Sequence, residues 1–154
     1  MASPITDFTP KRPHTKTASA RALAKMAKSL NVTITHQADL SKLARAGLPT
    51  NSFISFAQCG FNRKELDWII PTRTFTHRQK AQGVLSLEES DKLLRAAKIQ
   101  ALAVEVLGDQ HKASSWLHKE RSLFNNLSAM ELMKTEHGAQ LVEDALIQLD
   151  EGYF

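Results

Sequence analysis

Pro71 and Gly83 bracket a short basic stretch, TRTFTHRQKAQ, and these two breakers constrain the chain more than any other feature. Proline cannot continue a helix from upstream, and it pushes Ile70 out of the α region, so one helix ends here. A second can start at once, with Thr72 as its cap and Arg73 as its first residue. Gly83 closes it, and Ser86-Leu87-Glu88-Glu89 reads as a capping box that opens a third. The chain is therefore expected to hold a short basic helix between two firm boundaries.

On that helix Phe75 is the one large apolar residue. At 100° per residue, Gln79 and Gln82 share its side, while Arg73, His77 and Lys80 gather opposite, flanked by Thr74 and Ala81. Phe75 would pin the helix to a core and leave two cations, an imidazole and small side chains projecting. Arg can grip guanine bidentately, Lys and Thr reach phosphates, and small residues permit close approach, so the face suits a major groove. Arg78 lies at the flank, placed for a phosphate. A solvated basic surface helix shows the same pattern, and spacing alone leaves both readings open. In the DNA reading, residues 62–70, opened by an Asn62–Glu65 capping box, form the first helix of a helix-turn-helix.

The charge distribution bears on the choice. Residues 1–30 hold six basic residues against Asp7, and residues 31–85 hold seven against three acidic ones. Residues 86–154 reverse this, with seven basic and twelve acidic. The sign changes where the Ser86 capping box begins, which suggests a basic half facing nucleic acid and an acidic half facing another partner.

Helical periodicity dominates the remainder. Residues 1–17, with Pro4, Pro10 and Pro13 among Lys, Arg, Ser and Thr, read as a disordered basic tail. A helix follows over 18–30, with Leu23, Met26, Ala27 and Leu30 as its stripe. Val32-Thr33-Ile34-Thr35 has no partner strand and reads as a connector. Asp39 can cap a helix ending at Gly47, and Pro49 opens another, with Phe53, Ile54, Phe56 and Ala57 inward and Gly60 at its end. The longest element runs from Ser86 to Gly108, and Leu87, Leu94, Ala97, Ala101, Val104 and Leu107 form its seam. Its breadth of apolar surface implies contact on several sides. Asp109 starts a helix through Leu117, with Ala113, Trp116 and Leu117 inward. A loop, ERSLFNN, leads to a Ser128–Glu131 capping box, and Gly138 precedes a last helix with Leu141, Val142, Ala145, Leu146 and Leu149 as its stripe. Tyr153 and Phe154 at an acidic terminus can dock on a partner or fold back on their own domain.

Catalytic patterns are missing. The histidines at 36, 77, 111, 118 and 137 have no metal-ligand spacing, the single Cys59 cannot frame a zinc site or an internal disulfide, and no phosphate-binding glycine loop occurs. Ser114 and Ser115 lie near His111 and His118, but no glycine-rich elbow supports a nucleophile there. The expectation is a non-enzyme without cofactor or metal. With no run of 18 apolar residues and no signal-like N-terminus, it is expected in the cytoplasm and away from membranes.

Two stretches carry a resemblance. IIPTRTFTHRQKAQGVLSLEESDKLLRAA at 69–97 is similar to the I-P-x-R-T-L-x-x-R…G-x-L-S-x-x-E-S-D-R-L-x-R run of Xre/MbcA/ParS-type antitoxins, the partners of RES-domain toxins in type II toxin–antitoxin systems. Residues 103–152 resemble the A-x-x-V-F-G-x-x-x-x-A-x-x-W-L…P-x-x-L-L-x-T-x-x-G…V-x-x-x-L-x-x-I-x-x-G pattern of their toxin-binding domain. Arg73, Thr74, Phe75, Arg78, Leu85, Glu89, Ser90, Gly108, Ala113, Trp116, Leu117, Thr135, Gly138, Val142, Leu146 and Gly152 stand at matching places. Asn125-Asn126 replaces a frequent Gly-Gly, Ala129 a frequent Pro, and His77 a position that is often basic.

The resemblance implies an all-α protein: an N-terminal helix-turn-helix (Xre-like) domain over 18–85, a long connecting helix over 86–107 and a helical toxin-binding domain over 108–154. It implies an antitoxin that masks the active site of a NAD-consuming RES-domain toxin and represses its own operon, and a dimer would suit palindromic operator DNA. The rival reading is a stand-alone helix-turn-helix regulator with a C-terminal dimerisation or ligand domain. Face and resemblance together make Arg73, Thr74, Thr76, His77, Arg78 and Lys80 the candidate DNA contacts. Trp116, Leu117, Gly138, Gly152, Tyr153 and Phe154 are the candidate toxin contacts, the last two lying beyond the matched pattern.

Overall fold

A computed structural model describes residues 17–152, so the tail expected over residues 1–17 falls almost wholly outside the described residues, as do Tyr153 and Phe154. The described chain forms eight α-helices, two 3-10 turns and a two-stranded ribbon among the described residues. In order these are α1 (Ala18–Leu30), α2 (Ala38–Ala46), α3 (Thr50–Ala57), a 3-10 turn (Arg63–Leu66), α4 (Thr72–Lys80) and α5 (Leu87–Leu107). There follow α6 (Gln110–His118), β1 (Glu120–Arg121), a second 3-10 turn (Ser122–Phe124), β2 (Leu127–Ser128), α7 (Ala129–Leu132) and α8 (Glu136–Glu151). No helix among the described residues is long and apolar enough to cross a membrane.

The architecture is all-α and built on α5, whose 21 residues extend about 32 Å. Both bonds of its capping box form: Ser86 Oγ accepts from the Glu89 amide at 3.1 Å, and Glu89 Oε1 accepts from the Ser86 amide at 2.8 Å. Gly108 ends it in the left-handed region at φ 91°, which a side chain would resist. Helices α1, α2, α6 and α8 all pack on α5, with α1 making the broadest contact. Buried Ala96, Ala97, Ala101 and Ala103 keep the surface of α5 low, so neighbouring axes can come close on more than one side. The core continues through Met26, Leu30, Leu48, Phe53, Phe56, Leu66, Ile69, Ile70, Leu85, Leu93, Ile99 and Leu102, all fully buried.

Several local expectations need correction. The helix expected over 62–70 is a single 3-10 turn followed by irregular turns, although its Asn62–Glu65 capping box forms. Pro71 denies Ile70 the α conformation and so removes the last turn, and what remains is too short to propagate as a helix. The first half of the expected helix-turn-helix is therefore not an α-helix. Pro71, not Thr72, occupies the cap of α4, and the Thr72 hydroxyl donates to Asp67 Oδ1 at 3.2 Å. Helix α4 stops at Lys80, and Gln82 takes the left-handed position at φ 51° that Gly83 was expected to fill. The amides of Gln82 and Gly83 bond the carbonyls of Gln79 and Arg78 at 3.1 and 3.0 Å, a Schellman closure set one residue early. That register frees the next residues to join α2–α3, where Leu85 donates to the Leu48 carbonyl at 2.8 Å.

Asp39 lies inside the first turn of α2 and reaches back, accepting from the Thr35 amide and hydroxyl at 2.9 Å and the His36 amide at 3.0 Å. Leu87 and Leu141, expected in apolar seams, are 59% and 55% exposed. Part of the loop expected before Ser128 is the ribbon, with Glu120 opposite Ser128 and Arg121 opposite Leu127. Helix α8 starts at Glu136, ahead of Gly138, because Thr135 caps it by accepting from the Gly138 amide at 3.0 Å.

Candidate functional site

Helix α4 is anchored by Phe75, whose ring lies 4.7 Å from that of Phe53. The Arg63 guanidinium sits over both rings, at 4.8 and 5.7 Å, and donates to the Ile70 carbonyl at 2.7 Å and to Asp67 at 2.9 Å. One cation thus seals the turn that precedes the helix. Arg73, Thr74, Thr76, His77 and Lys80 are all exposed. Among the described residues, Arg73, Thr74, His77 and Lys80 have no side-chain hydrogen bond or ion pair, so their polar groups face solvent. The Thr76 hydroxyl donates to the Thr72 carbonyl at 2.9 Å and keeps its lone pairs outward.

Arg78 differs. It is half-buried and paired with Glu89, the carboxylate that closes the α5 capping box. The residue expected to hold a phosphate instead joins the end of α4 to the start of α5.

The second candidate surface lies beyond α5. Asp109 caps α6 by accepting from the Lys112 and His111 amides at 3.0 and 2.7 Å, and these bonds hold its carboxyl below the usual range. Trp116 is half-buried and meets Phe124 edge-on, at 6.0 Å and 86°. The Arg121 guanidinium stacks over the Trp116 ring at 4.7 Å. Two of the expected toxin contacts are unavailable to a partner: Leu117 is fully buried, and Gly138 is buried against α7. A Cβ on Gly138 would lie 1.9 Å from the Leu132 carbonyl oxygen, so glycine serves the close approach of α7 to α8. Gly152 is exposed and ends α8 at φ 80°.

Hydrogen bonds and ion pairs tie the parts together. His118 Nε2 lies 2.7 Å from Glu65 Oε1 and its Nδ1 2.7 Å from the Ser114 carbonyl, so α6 is held to the 3-10 turn before α4. That bonding also commits His118 to backbone and carboxylate, leaving the Ser114 hydroxyl without a base. Arg21 and Lys25 of α1 both reach Glu105 of α5 at 2.8 Å, and Arg21 also reaches Asp150 of α8 at 3.2 Å. Part of the basic charge of residues 1–30 is therefore turned onto acidic residues of the other half. No group of three or more His, Cys, Asp or Glu side chains among the described residues could hold a metal ion.

Sequence reasoning passed over Arg121, Leu123 and Leu127. The tandem Asn125-Asn126, both at positive φ, was the available signal for a tight turn joining two short strands.

A basic helix seated on a small helical unit, continued by one long helix into a second helical unit, defines a two-part all-α protein of helix-turn-helix type. The chain belongs to the Xre/MbcA/ParS-type antitoxins: residues 39–98 match the antitoxin Xre-like helix-turn-helix domain, and residues 102–152 match the antitoxin Xre/MbcA/ParS C-terminal toxin-binding domain. Similar proteins include Antitoxin Xre of Pseudomonas putida, 42% identical over 89 residues, which are 58% of this chain and 56% of that protein. Antitoxin Xre of Yersinia enterocolitica is 33% identical over 86 residues, 55% of this chain and 58% of that one. The chain thus spans little more than half the length of these relatives. Helix α1 lies outside both matched segments.

Proposed function

We propose that this chain is an antitoxin of a type II system, which neutralises a RES-domain, NAD-consuming toxin with its C-terminal unit and represses its own operon through α4. The observation that carries the DNA half is the outward face of α4, where Arg73, His77 and Lys80 project free of protein partners from a helix pinned by Phe75. Keeping unpaired cations on one rigid face offers phosphates and base edges their donors without breaking internal bonds. The C-terminal half rests on the match of residues 102–152 to a toxin-binding domain. Masking needs no chemistry from the antitoxin. A homodimer would let two α4 helices read a palindrome. Such a protein would work in the cytoplasm.

The test separates the halves. Arg73→Ala with Lys80→Ala should weaken binding to the chain's own promoter by about tenfold or more, since each base or phosphate contact is worth on the order of 1–3 kcal/mol. Growth protection against the co-expressed toxin should be unchanged. An unaltered gel shift would remove α4 from the DNA interface.

A further inference from the structure

We propose that the toxin docks on the surface formed by Trp116, Arg121, Leu123 and Leu127, and that it presents there a carboxylate flanked by apolar side chains. This rests on the antitoxin reading above and goes beyond it by naming the contact surface and the chemistry it takes.

Four observations converge. Arg121 and Leu127 are paired across the ribbon, Arg121 stacks on Trp116, and Leu123 lies in the turn that joins the two strands. Leu123 and Leu127 are 61% and 45% exposed, two of the large apolar side chains that the described chain leaves in water. Arg121 is half-buried, yet no carboxylate lies within ion-pair distance of it among the described residues, although Lys92, Arg95, Lys98 and Lys134 in the same acidic half all have one. Its strongest polar contact is a 3.5 Å approach to the Trp116 carbonyl, and its Nε is buried without a partner. Burial accordingly pulls its pKa down.

A guanidinium whose Nε is buried and which has no anion beside it is an incomplete ion pair. Stacking on an indole recovers part of the loss, and a carboxylate from outside would complete the rest. An Arg–Trp centre rimmed by leucines is the composition that carries binding energy in protein interfaces. The surface is also preformed: Asn125 and Asn126, at φ 54° and 64°, close the turn between the strands, and Phe124 braces Trp116 from beneath. Docking there would order little that is not already ordered. All four residues lie within the segment matched to a toxin-binding domain, which argues for the toxin as occupant over a second copy of this chain.

The experiment uses the full chain and, as its probe, a purified RES-domain toxin. Leu123→Ser with Leu127→Ser, and separately Arg121→Glu, should each weaken toxin binding by about tenfold or more in calorimetry, as expected when the centre of an interface is disrupted. The double serine variant should melt as the parent does and still shift operator DNA, which removes misfolding as an explanation should Arg121→Glu prove unstable. Undiminished toxin binding by the double variant would overturn the proposal. So would a change confined to self-association in sedimentation, because the surface would then belong to a second copy. If the unaltered chain binds no RES-domain protein, it is the RES-toxin reading of the proposed function that falls.

Discussion

A methyl group on Gly138 would stand 1.9 Å from the Leu132 carbonyl oxygen and 2.9 Å from Thr135 Oγ1. The obstacle is backbone, which cannot swing aside as a side-chain tip can, so α8 or α7 must shift. Gly138→Ala should lower stability by roughly 1–3 kcal/mol, the usual cost of overpacking, despite the better helix propensity of alanine. A thermal melt at or above that of the parent would show that α7 yields freely. The same residue shows the limit of reading position from sequence. Its place near the start of a helix was visible, but α7 pressing on it is a contact between elements that periodicity does not record. Arg78 teaches the converse. Its basic character suggested a phosphate, and only the fold reveals that Glu89 already holds it.

Among elements, α1 has the least expected role. Its stripe was legible, but not its target, because α5 is apolar on several sides and offers no single seam. Glu105 receives Lys25 and Arg21 together, and these, Lys25 foremost, hold its carboxyl below the ordinary value of 4.5. A carboxyl whose pKa is lowered by folding stabilises the folded state fully above that ordinary value, and the contribution fades as pH falls through the lowered one. Denaturation midpoints of the parent and Glu105→Gln should therefore differ at pH 7 and converge as the pH is taken well below 4.5. A gap of equal size at both pH values would mean that packing, and not charge, attaches α1. Other elements follow the same division between local and distant causes. The boxes at Asn62 and Ser86 form in full, whereas at Ser128 only the serine half forms: its Oγ accepts from the Glu131 amide, and the Glu131 carboxylate accepts from Lys134 instead. The helix expected over 62–70 failed on the conformational preference of one residue before proline, and the ribbon over 120–128 was missed because each strand is only two residues long.

For the whole molecule, the all-α class and the order of its two parts were legible because turn residues and capping boxes punctuate the chain so often. The packing of both parts against one helix was not. The segments matched to the two antitoxin domains are separated only by residues 99–101, and Ile99, Gln100 and Ala101 are buried in the middle of α5. Where many two-part proteins place a flexible linker, this one places continuous hydrogen-bonded backbone. One residue of α-helix turns the chain by 100° and advances it 1.5 Å, so the angular phase between the two matched units is written into the length of α5. A single alanine inserted between Ile99 and Gln100 should turn the two halves of α5 about 100° out of phase and abolish cooperative melting, because α8 reaches Lys98 before the insertion, α1 reaches Glu105 after it, and Arg21 joins α1 to α8, so these helices could no longer seat together. A parent-like melt would mean that the units are not phased through α5. The length of this helix in residues is thus a setting as exacting as the identity of any side chain on it.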